Sequence, residues 1–434
     1  MNKKLKYINE VCIVLAGEAG QGIQTIELIL TKLLKAAGYN VFATKEYMSR
    51  VRGGTNSTEI RISSRPVASF VNRIDILFPF DEKAVNWLST RISDNTIIVG
   101  DKKALAVDNE MIDIPLIELA KQIGNPIFAN IIAASFTLGL LNIERDMLAQ
   151  FLSEFFEDKG KDIVDQNIRA GQTGWDLGRE KSKALDISFE IARNDAVANE
   201  LIINGHQAVA LGAIAGGCNF ISSYPMSPST GVLTFLAQHA EDFGIIVEQA
   251  EDEISAINMG LGSWYAGGRA LATTSGGGFA LMTEGISLAG CIESPMVIHL
   301  AQRPGPATGL PTRTEQGDLE LALYSGHGEF PRVIYAPGNV QDAFLCALKA
   351  FEIADKYQVS AIILTDQFLL DSYYNVSDFP KTTEALKNYI VKTKPEYKRF
   401  QITENGISER GIPGYGEGIV CADSDEHDEG GYIT

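Results

Sequence analysis

The sequence predicts an α/β protein with two three-layer α/β/α domains and a C-terminal tail rich in glycine, proline and acidic residues. Short apolar runs alternate with segments that carry apolar or small residues at helical spacing, which is the βαβ pattern of a parallel sheet. The chain has 434 residues, enough for two or three domains. We place the domains at residues 1–192 and 193–376 and the tail at 377–434.

The first domain begins with a buried strand, a glycine-rich turn and a helix. The strand is predicted at Val11–Ala16 and the helix at Ile23–Ala37, with the turn GEAGQG between them. Gly20 and Gly22 in this turn can present backbone N–H groups to an anion or border an interface. The full G-x-G-x-x-G pattern is missing, so close packing of the strand against the helix is the favoured alternative.

A loop further along this domain carries two arginines beside two glycines, Arg50, Arg52, Gly53 and Gly54. Guanidinium groups beside bare backbone suit a phosphate or a carboxylate. Pairing of these arginines with a partner chain is an equal alternative.

The remaining elements of the first domain follow from apolar runs and helical spacing. Strands are predicted at Tyr39–Thr44, Ser57–Ile62, Ile74–Phe78 and Thr96–Val99, and helices at Ala129–Leu141 and Arg145–Glu157. Lys159–Asp176 reads as helical at first and then irregular. The charged segment Glu180–Ile191 reads as a mobile linker, so the domain boundary is placed there.

The second domain opens with a proline-containing loop, YPMSPST, between a strand and a helix. The predicted elements are a helix at 205–216, the strand Asn219–Ser223 and the helix Gly231–Ala240. Pro225 and Pro228 stiffen the loop. Ser229 or Thr230 is predicted to cap the following helix. Ser227 lies between the prolines and is a candidate ligand residue.

Three strands with long polar loops follow, and these loops are the centre of the functional prediction. Strands are predicted at Gly244–Val247, Arg269–Thr274 and Met296–Ala301, helices at Glu253–Ala266 and Phe279–Cys291, and a loop at Ser275–Gly278. Loops that follow parallel strands emerge at one edge of the sheet, the usual edge for a ligand crevice. We therefore expect Glu253, Gly276, Gly277 and Arg303 to share one crevice.

The last predicted elements complete the second domain near Tyr374. They are the strand Val333–Ala336, the helix Val340–Lys356 and the strand Ala361–Thr365. The tail from Ser377 onward reads as a linker or disordered end because of its charge, glycine and proline content. His299 lies within a predicted strand and is interpreted as a core residue.

Charge and cysteine content exclude several classes of function. The net charge of −18 argues against binding to nucleic acid or an anionic membrane. None of the five cysteines forms a C-x-x-C pair, so we expect no iron–sulfur cluster, zinc site or other metal site on this chain. Neither a signal peptide nor a membrane span is evident, and we expect a soluble, cytoplasmic protein.

Two blocks of sequence resemble one family. GEAGQGIQTIELIL together with YMSRVRGGTNSTEIRIS resembles the γ domain of 2-oxoacid:ferredoxin oxidoreductases. SSYPMSPSTG, VEQAEDEISAINMGLGSWYAGG, ATTSGGGFALMTEGI and HLAQRPGPATGLPT resemble the α subunit, whose fold binds the pyrimidine of thiamine diphosphate. The order of the blocks is that of a fused γ–α subunit of the 2-oxoglutarate synthase type. Fused members usually continue into a further domain, so we expect truncation at the C-terminus.

The resemblance implies roles for particular residues. Thiamine enzymes need a carboxylate facing the aminopyrimidine ring, and Glu253 matches the family's cofactor glutamate and is the predicted catalytic residue. Ser227 and Arg303 match the family's substrate-binding hydroxyl and arginine. The remaining predicted cofactor-binding residues are Tyr224, Pro225, Gly276 and Gly277.

The resemblance also implies a partner. No magnesium motif and no set of cluster cysteines is present, so a β subunit is expected to supply Mg²⁺, the diphosphate pocket and a [4Fe–4S] cluster. We expect a heterodimer, or a dimer of heterodimers, that passes electrons to ferredoxin. The expected reaction is oxidative decarboxylation of a 2-oxoacid with coenzyme A to give acyl-CoA, CO₂ and reduced ferredoxin, with 2-oxoglutarate favoured.

Other readings stay open at this point. A pyruvate-specific or branched-chain-specific member fits the same motifs. The chain could also be half of a different thiamine enzyme, transketolase-like or sulfopyruvate-decarboxylase-like. The γ block argues against this alternative, because those enzymes have no such domain. A non-catalytic assembly subunit that binds a nucleotide through GEAGQG would leave Glu253 and Arg303 without a catalytic role.

Overall fold

The computed structural model describes residues 4–48, 54–105, 110–380 and 386–434. They form two compact units. Unit 1 consists of Met1–Ile203 and Ser372–Asp378, and unit 2 of Asn204–Asp371 and Phe379–Thr434. Within the described ranges, no helix has both the length and the hydropathy needed to cross a membrane.

Strands and helices alternate along most of the chain. The strands are β1 Leu5–Ile8, β2 Glu10–Glu18, β3 Asn40–Glu46, β4 Thr55–Ser63, β5 Ile76–Pro79, β6 Ile97–Gly100, β7 Ile112–Asp113, β8 Ile187–Glu190, β9 Leu201–Asn204, β10 Phe220–Ser223, β11 Ile246–Gln249, β12 Ala270–Thr274, β13 Met296–Gln302, β14 Arg332–Tyr335, β15 Ser360–Asp366 and β16 Tyr373–Val376. The helices are α1 Ile23–Ala36, α2 Glu82–Trp87, α3 Lys102–Leu105, α4 Leu116–Ile123, α5 Ala129–Leu140, α6 Arg145–Phe155, α7 Lys161–Ala184, α8 Asp195–Ala198, α9 Gly205–Ala215, α10 Thr230–Gln238, α11 Ala240–Phe243, α12 Glu253–Tyr265, α13 Gly276–Leu281, α14 Thr283–Cys291, α15 Leu319–Tyr324, α16 Val340–Tyr357 and α17 Gln367–Asp371. Single 3₁₀ turns lie at Ser89–Arg91, Pro126–Phe128 and Glu157–Lys159.

Unit 1 is built on a mixed sheet in the order β7-β6-β5-β2-β4-β3-β16-β9. The central strand β2 is parallel to β5 and antiparallel to β4, and its apolar run from Val11 to Ala16 is fully buried. The apolar face of α1 packs into the same core. A separate pair of parallel strands joins β1 to β8.

The interpretation of Lys159–Asp176 as partly irregular and of Glu180–Ile191 as a linker is wrong. The helix α7 runs without interruption from Lys161 to Ala184, and β8 follows it. Glycines in this helix allow it to touch the backbone of α5, since a Cβ on Gly174 would lie 2.3 Å from the carbonyl oxygen of Ile132. The glycines that suggested irregular structure therefore form the side of α7 that packs against α5. The charged residues lie on its more exposed side.

Unit 2 contains a fully parallel sheet in the order β11-β10-β12-β13-β15-β14. This confirms the parallel sheet predicted from the βαβ pattern. The strand β13 lies inside the sheet with every residue buried. His299 in β13 is completely buried between Thr273 and Thr365, whose hydroxyls lie 2.7 and 2.8 Å from its ring nitrogens, so its interpretation as a core residue is confirmed.

Two local predictions in unit 2 are wrong. Ser275–Gly278 is not a loop before one long helix, because α13 begins at Gly276 and α14 is a separate helix. Ser229 occupies the N-cap position of α10, but its side chain does not cap the helix. Its hydroxyl donates instead to the carbonyl of Met226, 2.6 Å away, and so closes the preceding turn.

The C-terminal segment 386–434 is part of the compact unit 2 and contains turns and isolated bridges, so its interpretation as a linker or disordered end is wrong. Arg410 is buried, binds the carboxylate of Asp355 and donates a 3.0 Å hydrogen bond to the carbonyl of Trp264. Arg399 is also buried and donates to the carbonyl of Glu293 at 2.6 Å. Two buried arginines therefore anchor a segment that has little regular secondary structure.

Candidate active site

Glu253 begins α12 at the carboxyl edge of the unit 2 sheet. The preceding residue, Asp252, caps this helix by accepting a 2.7 Å hydrogen bond from the backbone N–H of Ser255. Glu253 itself is only 3% exposed, and its Oε1 has no hydrogen-bond partner among the described residues. Burial raises the pKa of this carboxyl above its ordinary value; Asp252 acts in the same direction and Arg303 against it.

The glycines of α13 allow two carboxyl groups to approach its backbone. A Cβ on Gly278 would lie 2.4 Å from Oε1 of Glu253, and a Cβ on Gly276 would lie 2.5 Å from both carboxyl oxygens of Asp318. Such distances are too short for any side chain at these two positions. Gly277 is different, because its Cβ would meet only the carbonyl oxygen of Ala307 at 3.4 Å.

Arg303 follows β13 and reaches the same region. It is 9% exposed, and its Nη1 donates a 2.7 Å hydrogen bond to the backbone carbonyl of Ser227. Its Nε has no partner within the described part of the chain. Burial lowers the pKa of the guanidinium, while the charges of Asp318 and Glu253 oppose this shift. The structure therefore places Glu253, α13 and Arg303 near one another, and their lining of one shared crevice stays a prediction.

Asp318 lies beside Gly276 and Arg303, and the sequence analysis did not predict it there. Its backbone N–H donates a 3.0 Å hydrogen bond to the side chain of Gln302 at the end of β13, which returns the loop to the sheet edge. Its Oδ2 is buried and has no partner in the described ranges. Burial raises the pKa of this carboxyl, Glu315 adds to the effect and Arg303 opposes it.

The polar cluster consists of the buried residues Glu253, Ser275 and Arg303 and the partly buried Asp318. Each member has one unsatisfied buried atom among the described residues. The hydroxyl of Ser275, directly before α13, is fully buried as well. An unsatisfied buried polar atom costs about 1–3 kcal/mol, so four such atoms indicate a place for a polar ligand. The polar cluster offers acid, hydroxyl and guanidinium groups to that ligand.

The loop after β10 borders this region. Tyr224 is 40% exposed and Pro225 is partly buried. Ser227 contributes its carbonyl to Arg303 rather than a hydroxyl contact. The predicted ligand roles of these three residues stay predictions.

Three of the candidate residues of unit 1, all glycines, lie within the described part of the chain. Gly20 and Gly22 have positive φ angles of 95° and 79°, and a Cβ on Gly22 would lie 1.8 Å from the side chain of Asn130. This contact is made with α5 rather than between β2 and α1, and a Cβ on Gly20 would have no atom within 4 Å. Both the anion-binding role and the packing alternative for these glycines therefore stay predictions. Gly54 also has a positive φ and lies against Met48. Arg50, Arg52 and Gly53 lie outside the described residues.

Comparisons with known proteins give one family. A family model described as pyruvate flavodoxin/ferredoxin oxidoreductase, thiamine diphosphate-binding, matches residues 211–434. A second, described as pyruvate ferredoxin/flavodoxin oxidoreductase, matches residues 12–177. The first match contains the whole polar cluster.

Two curated relatives illustrate the similarity. The 2-oxoacid:ferredoxin oxidoreductase subunit alpha of Sulfolobus sp is 31% identical over 97% of this chain and 75% of its own length. The 2-oxoglutarate synthase subunit KorA of Archaeoglobus fulgidus is 36% identical over 48% of this chain and 61% of its own length.

A solved structure matches nearly the whole chain. It is the 2-oxoglutarate:ferredoxin oxidoreductase from Magnetococcus marinus with 2-oxoglutarate, coenzyme A and succinyl-CoA bound. The TM-score is 0.89 at 31% identity, and the match covers 98% of this chain and 76% of that one.

Proposed function

Since the chain belongs to the family of 2-oxoacid:ferredoxin oxidoreductase α subunits, we propose that its polar cluster binds both the aminopyrimidine of thiamine diphosphate and the 2-oxoacid. The chain is a subunit of an oxidoreductase that needs a partner subunit. One observation supports the location above all others: the buried, unsatisfied Oε1 of Glu253 beside the glycines of α13.

The residues present fit an aminopyrimidine. The ring carries nitrogen atoms that need a hydrogen-bonding carboxyl, and Glu253 has such a group free on a buried surface. Its raised pKa favours a carboxyl that holds a proton at Oε1 and shares it with a ring nitrogen. When bound, thiamine diphosphate supplies the carbon nucleophile and the electron sink for decarboxylation.

Arg303 is the proposed anchor of the 2-oxoacid carboxylate. A guanidinium binds a carboxylate with two parallel hydrogen bonds. The Ser227 carbonyl fixes one end of the group through Nη1 and leaves the buried Nε to face a ligand. This chain therefore orients both the cofactor ring and the substrate at one sheet edge.

We propose 2-oxoglutarate as the substrate, converted with coenzyme A to succinyl-CoA and CO₂. The support comes from the relatives, since one carries the name 2-oxoglutarate synthase and the matching solved structure holds 2-oxoglutarate and succinyl-CoA. Pyruvate and branched-chain 2-oxoacids are the competing outcomes of a substrate panel.

The partner is proposed to be a β subunit that supplies Mg²⁺, the diphosphate pocket and a [4Fe–4S] cluster and transfers electrons to ferredoxin. The support is the sequence, in which none of the five cysteines forms a C-x-x-C pair. The assembly would be a heterodimer or a dimer of heterodimers. A cytoplasmic location, where thiols stay reduced, is proposed with it.

The substrate site is tested with the enzyme purified together with its partner subunit. Arg303→Ala should raise KM for 2-oxoglutarate by at least about tenfold and change KM for coenzyme A far less, because only one carboxylate contact is lost. Arg313→Ala, on the same loop, is the matched control. An equal rise in both KM values would remove Arg303 from the carboxylate site, and a wild-type enzyme inactive on every 2-oxoacid would reject the function.

A further inference from the structure

Asp318 has no task in the proposed function, although it is part of the polar cluster. Its position is fixed from two sides. Gln302 accepts its backbone N–H at 3.0 Å, and the carboxyl group rests against the bare backbone of Gly276. The carboxyl group of Asp318 is thus fixed in position, and its buried Oδ2 has no hydrogen-bond partner among the described residues. This combination indicates that the group binds a ligand.

The charges around Asp318 are unequal. Arg303 is the cation that acts on it, and the exposed Glu315 on its own loop is the opposing anion. The carboxylate of Glu253 also interacts electrostatically with the guanidinium of Arg303. Asp366, the last residue of β15, accepts a 2.6 Å hydrogen bond from the side chain of Gln316. One guanidinium therefore acts on two carboxyl groups before any substrate arrives, the buried one of Glu253 and the partly buried one of Asp318.

The chemistry of the substrate decides what Asp318 can do. A 2-oxoacid offers only hydrogen-bond acceptors, namely its carboxylate and carbonyl oxygens. An ionised aspartate is also only an acceptor, and two anions in contact repel each other. A carboxyl that carries a proton is a donor and can share that proton with a substrate carboxylate.

We propose that Asp318 binds the 2-oxoacid together with Arg303, donating a hydrogen bond from its protonated carboxyl to a substrate carboxylate oxygen. Above the pKa of Asp318, where the free enzyme holds this carboxyl ionised, substrate binding takes up one proton from water, and the proton returns to water after the product has left. The O–H bond of Asp318 is not broken in the decarboxylation itself. This inference rests on the proposed function and adds to it a residue that selects for anionic substrates. The burial that raises the pKa of Asp318 acts in the same sense.

The test compares the holoenzyme with four variants between about pH 6 and 9, with KM for 2-oxoglutarate and for coenzyme A as readouts. In the wild type, KM for 2-oxoglutarate should rise toward tenfold per pH unit above the pKa of Asp318, because binding takes up one proton. Asp318→Asn keeps a donor of the same shape, so its KM should stay low and lose this pH dependence. Asp318→Ala should raise KM about tenfold even at the acid end.

Glu320→Gln is the matched control, because it removes an exposed acid two residues away. A further variant, Glu315→Gln, does not touch the site but removes the anion that opposes ionisation of Asp318. Because Glu315→Gln lowers the pKa of Asp318, the rise in KM for 2-oxoglutarate should begin at a lower pH than in the wild type. This variant keeps the proposal testable even if changes at Asp318 itself disturb folding.

Three outcomes would overturn the proposal. The first is a wild-type pH dependence retained in Asp318→Asn, and the second is a KM unchanged in Asp318→Ala. The third is a loss of bound thiamine diphosphate in Asp318→Asn with KM unaltered, which would assign the carboxyl to the cofactor. In all three the wild type still turns over 2-oxoglutarate, so the proposed function would stand.

Discussion

Glu253 is buried, carries an unsatisfied oxygen and has a raised pKa, and each property costs free energy in the cofactor-free protein. The neighbouring acids show the contrast. Asp252 caps α12 through its side chain, and Glu251 is exposed. Of these three consecutive acids, Glu253 is the one whose burial disfavours the ionised carboxylate, which is typical of a functional carboxyl.

Replacing Glu253 by glutamine should therefore separate stability from activity. Because folding raises this pKa, the ionised form is disfavoured in the folded state, and the cost appears as the pH rises above the ordinary pKa of glutamate. At about pH 8 the cofactor-free Glu253→Gln protein should be more stable by roughly 1–3 kcal/mol in urea unfolding, and the gain should vanish near pH 4.

The same variant should lose nearly all turnover in the enzyme assembled with its partner. Glu251→Gln is the matched control and should change neither stability nor turnover. A Glu253→Gln protein that is active, or that is less stable at pH 8 than the wild type, would contradict the role assigned to this carboxyl.

Sequence patterns could locate Arg303 because it directly follows β13, and Glu253 because it lies four residues after the end of β11. Asp318 could not be found in this way. It lies 16 residues after Gln302, and hydrogen bonds between distant residues, such as the one between Asp318 and Gln302, bring the loop back to the edge of the sheet. A contact made by one backbone N–H leaves no periodic signal in the sequence.

At the scale of elements, the helix α13 shows how packing overrides local preference. Three successive glycines lower helix propensity by about 1 kcal/mol each relative to alanine, and they were predicted as a loop. The helix forms where Glu253 and Asp318 crowd its first turn. The lack of side chains is thus required by the site rather than by a turn.

Alanine substitutions along α13 test this explanation position by position. Gly276→Ala and Gly278→Ala should each reduce kcat/KM by about tenfold or more, because the new Cβ displaces Asp318 or Glu253. Gly277→Ala, with room for a Cβ, should keep near-normal activity and gain up to about 1 kcal/mol in stability. Equal activities for the three variants would show that the carboxyl groups do not depend on the bare helix.

The pair α5 and α7 follows the same rule in unit 1. A Cβ on Gly174 would collide with the carbonyl of Ile132. A Cβ on Gly160, directly before α7, would have no atom within 4 Å. Gly174→Ala should lower the free energy of unfolding by about 1–3 kcal/mol, measured by urea titration. A neutral or stabilising Gly174→Ala would contradict the close approach of the two helices.

At the scale of the whole molecule, two features escaped sequence analysis. The strand β16, which follows the long unit 2 segment in the chain, pairs with β3 in the sheet of unit 1. The segment 386–434 has the composition of a linker, yet Arg410 and Asp355 form a pair that is about 95% buried. Neither a returning strand nor one buried ion pair has a local sequence signature.

Removing one partner of that buried pair should be costly. Among the described residues, Arg410→Met leaves Asp355 with Arg269, 3.4 Å away, as its remaining cation, and should reduce the free energy of unfolding by about 3–5 kcal/mol. Lys398→Met breaks an exposed pair with Glu429 in the same segment and should change stability by less than about 1 kcal/mol. Urea unfolding and limited proteolysis of the segment measure both effects. Equal effects of the two changes would show that Arg410 does not anchor the segment.

The central claim is that the Glu253 carboxyl holds the thiamine pyrimidine at the carboxyl edge of the unit 2 sheet. The direct test is a crystal structure of the enzyme assembled with its partner subunit and thiamine diphosphate. The account predicts Oε1 of Glu253 within about 2.6–3.2 Å of a pyrimidine nitrogen. A pyrimidine ring bound elsewhere, with this oxygen still unsatisfied, would contradict it.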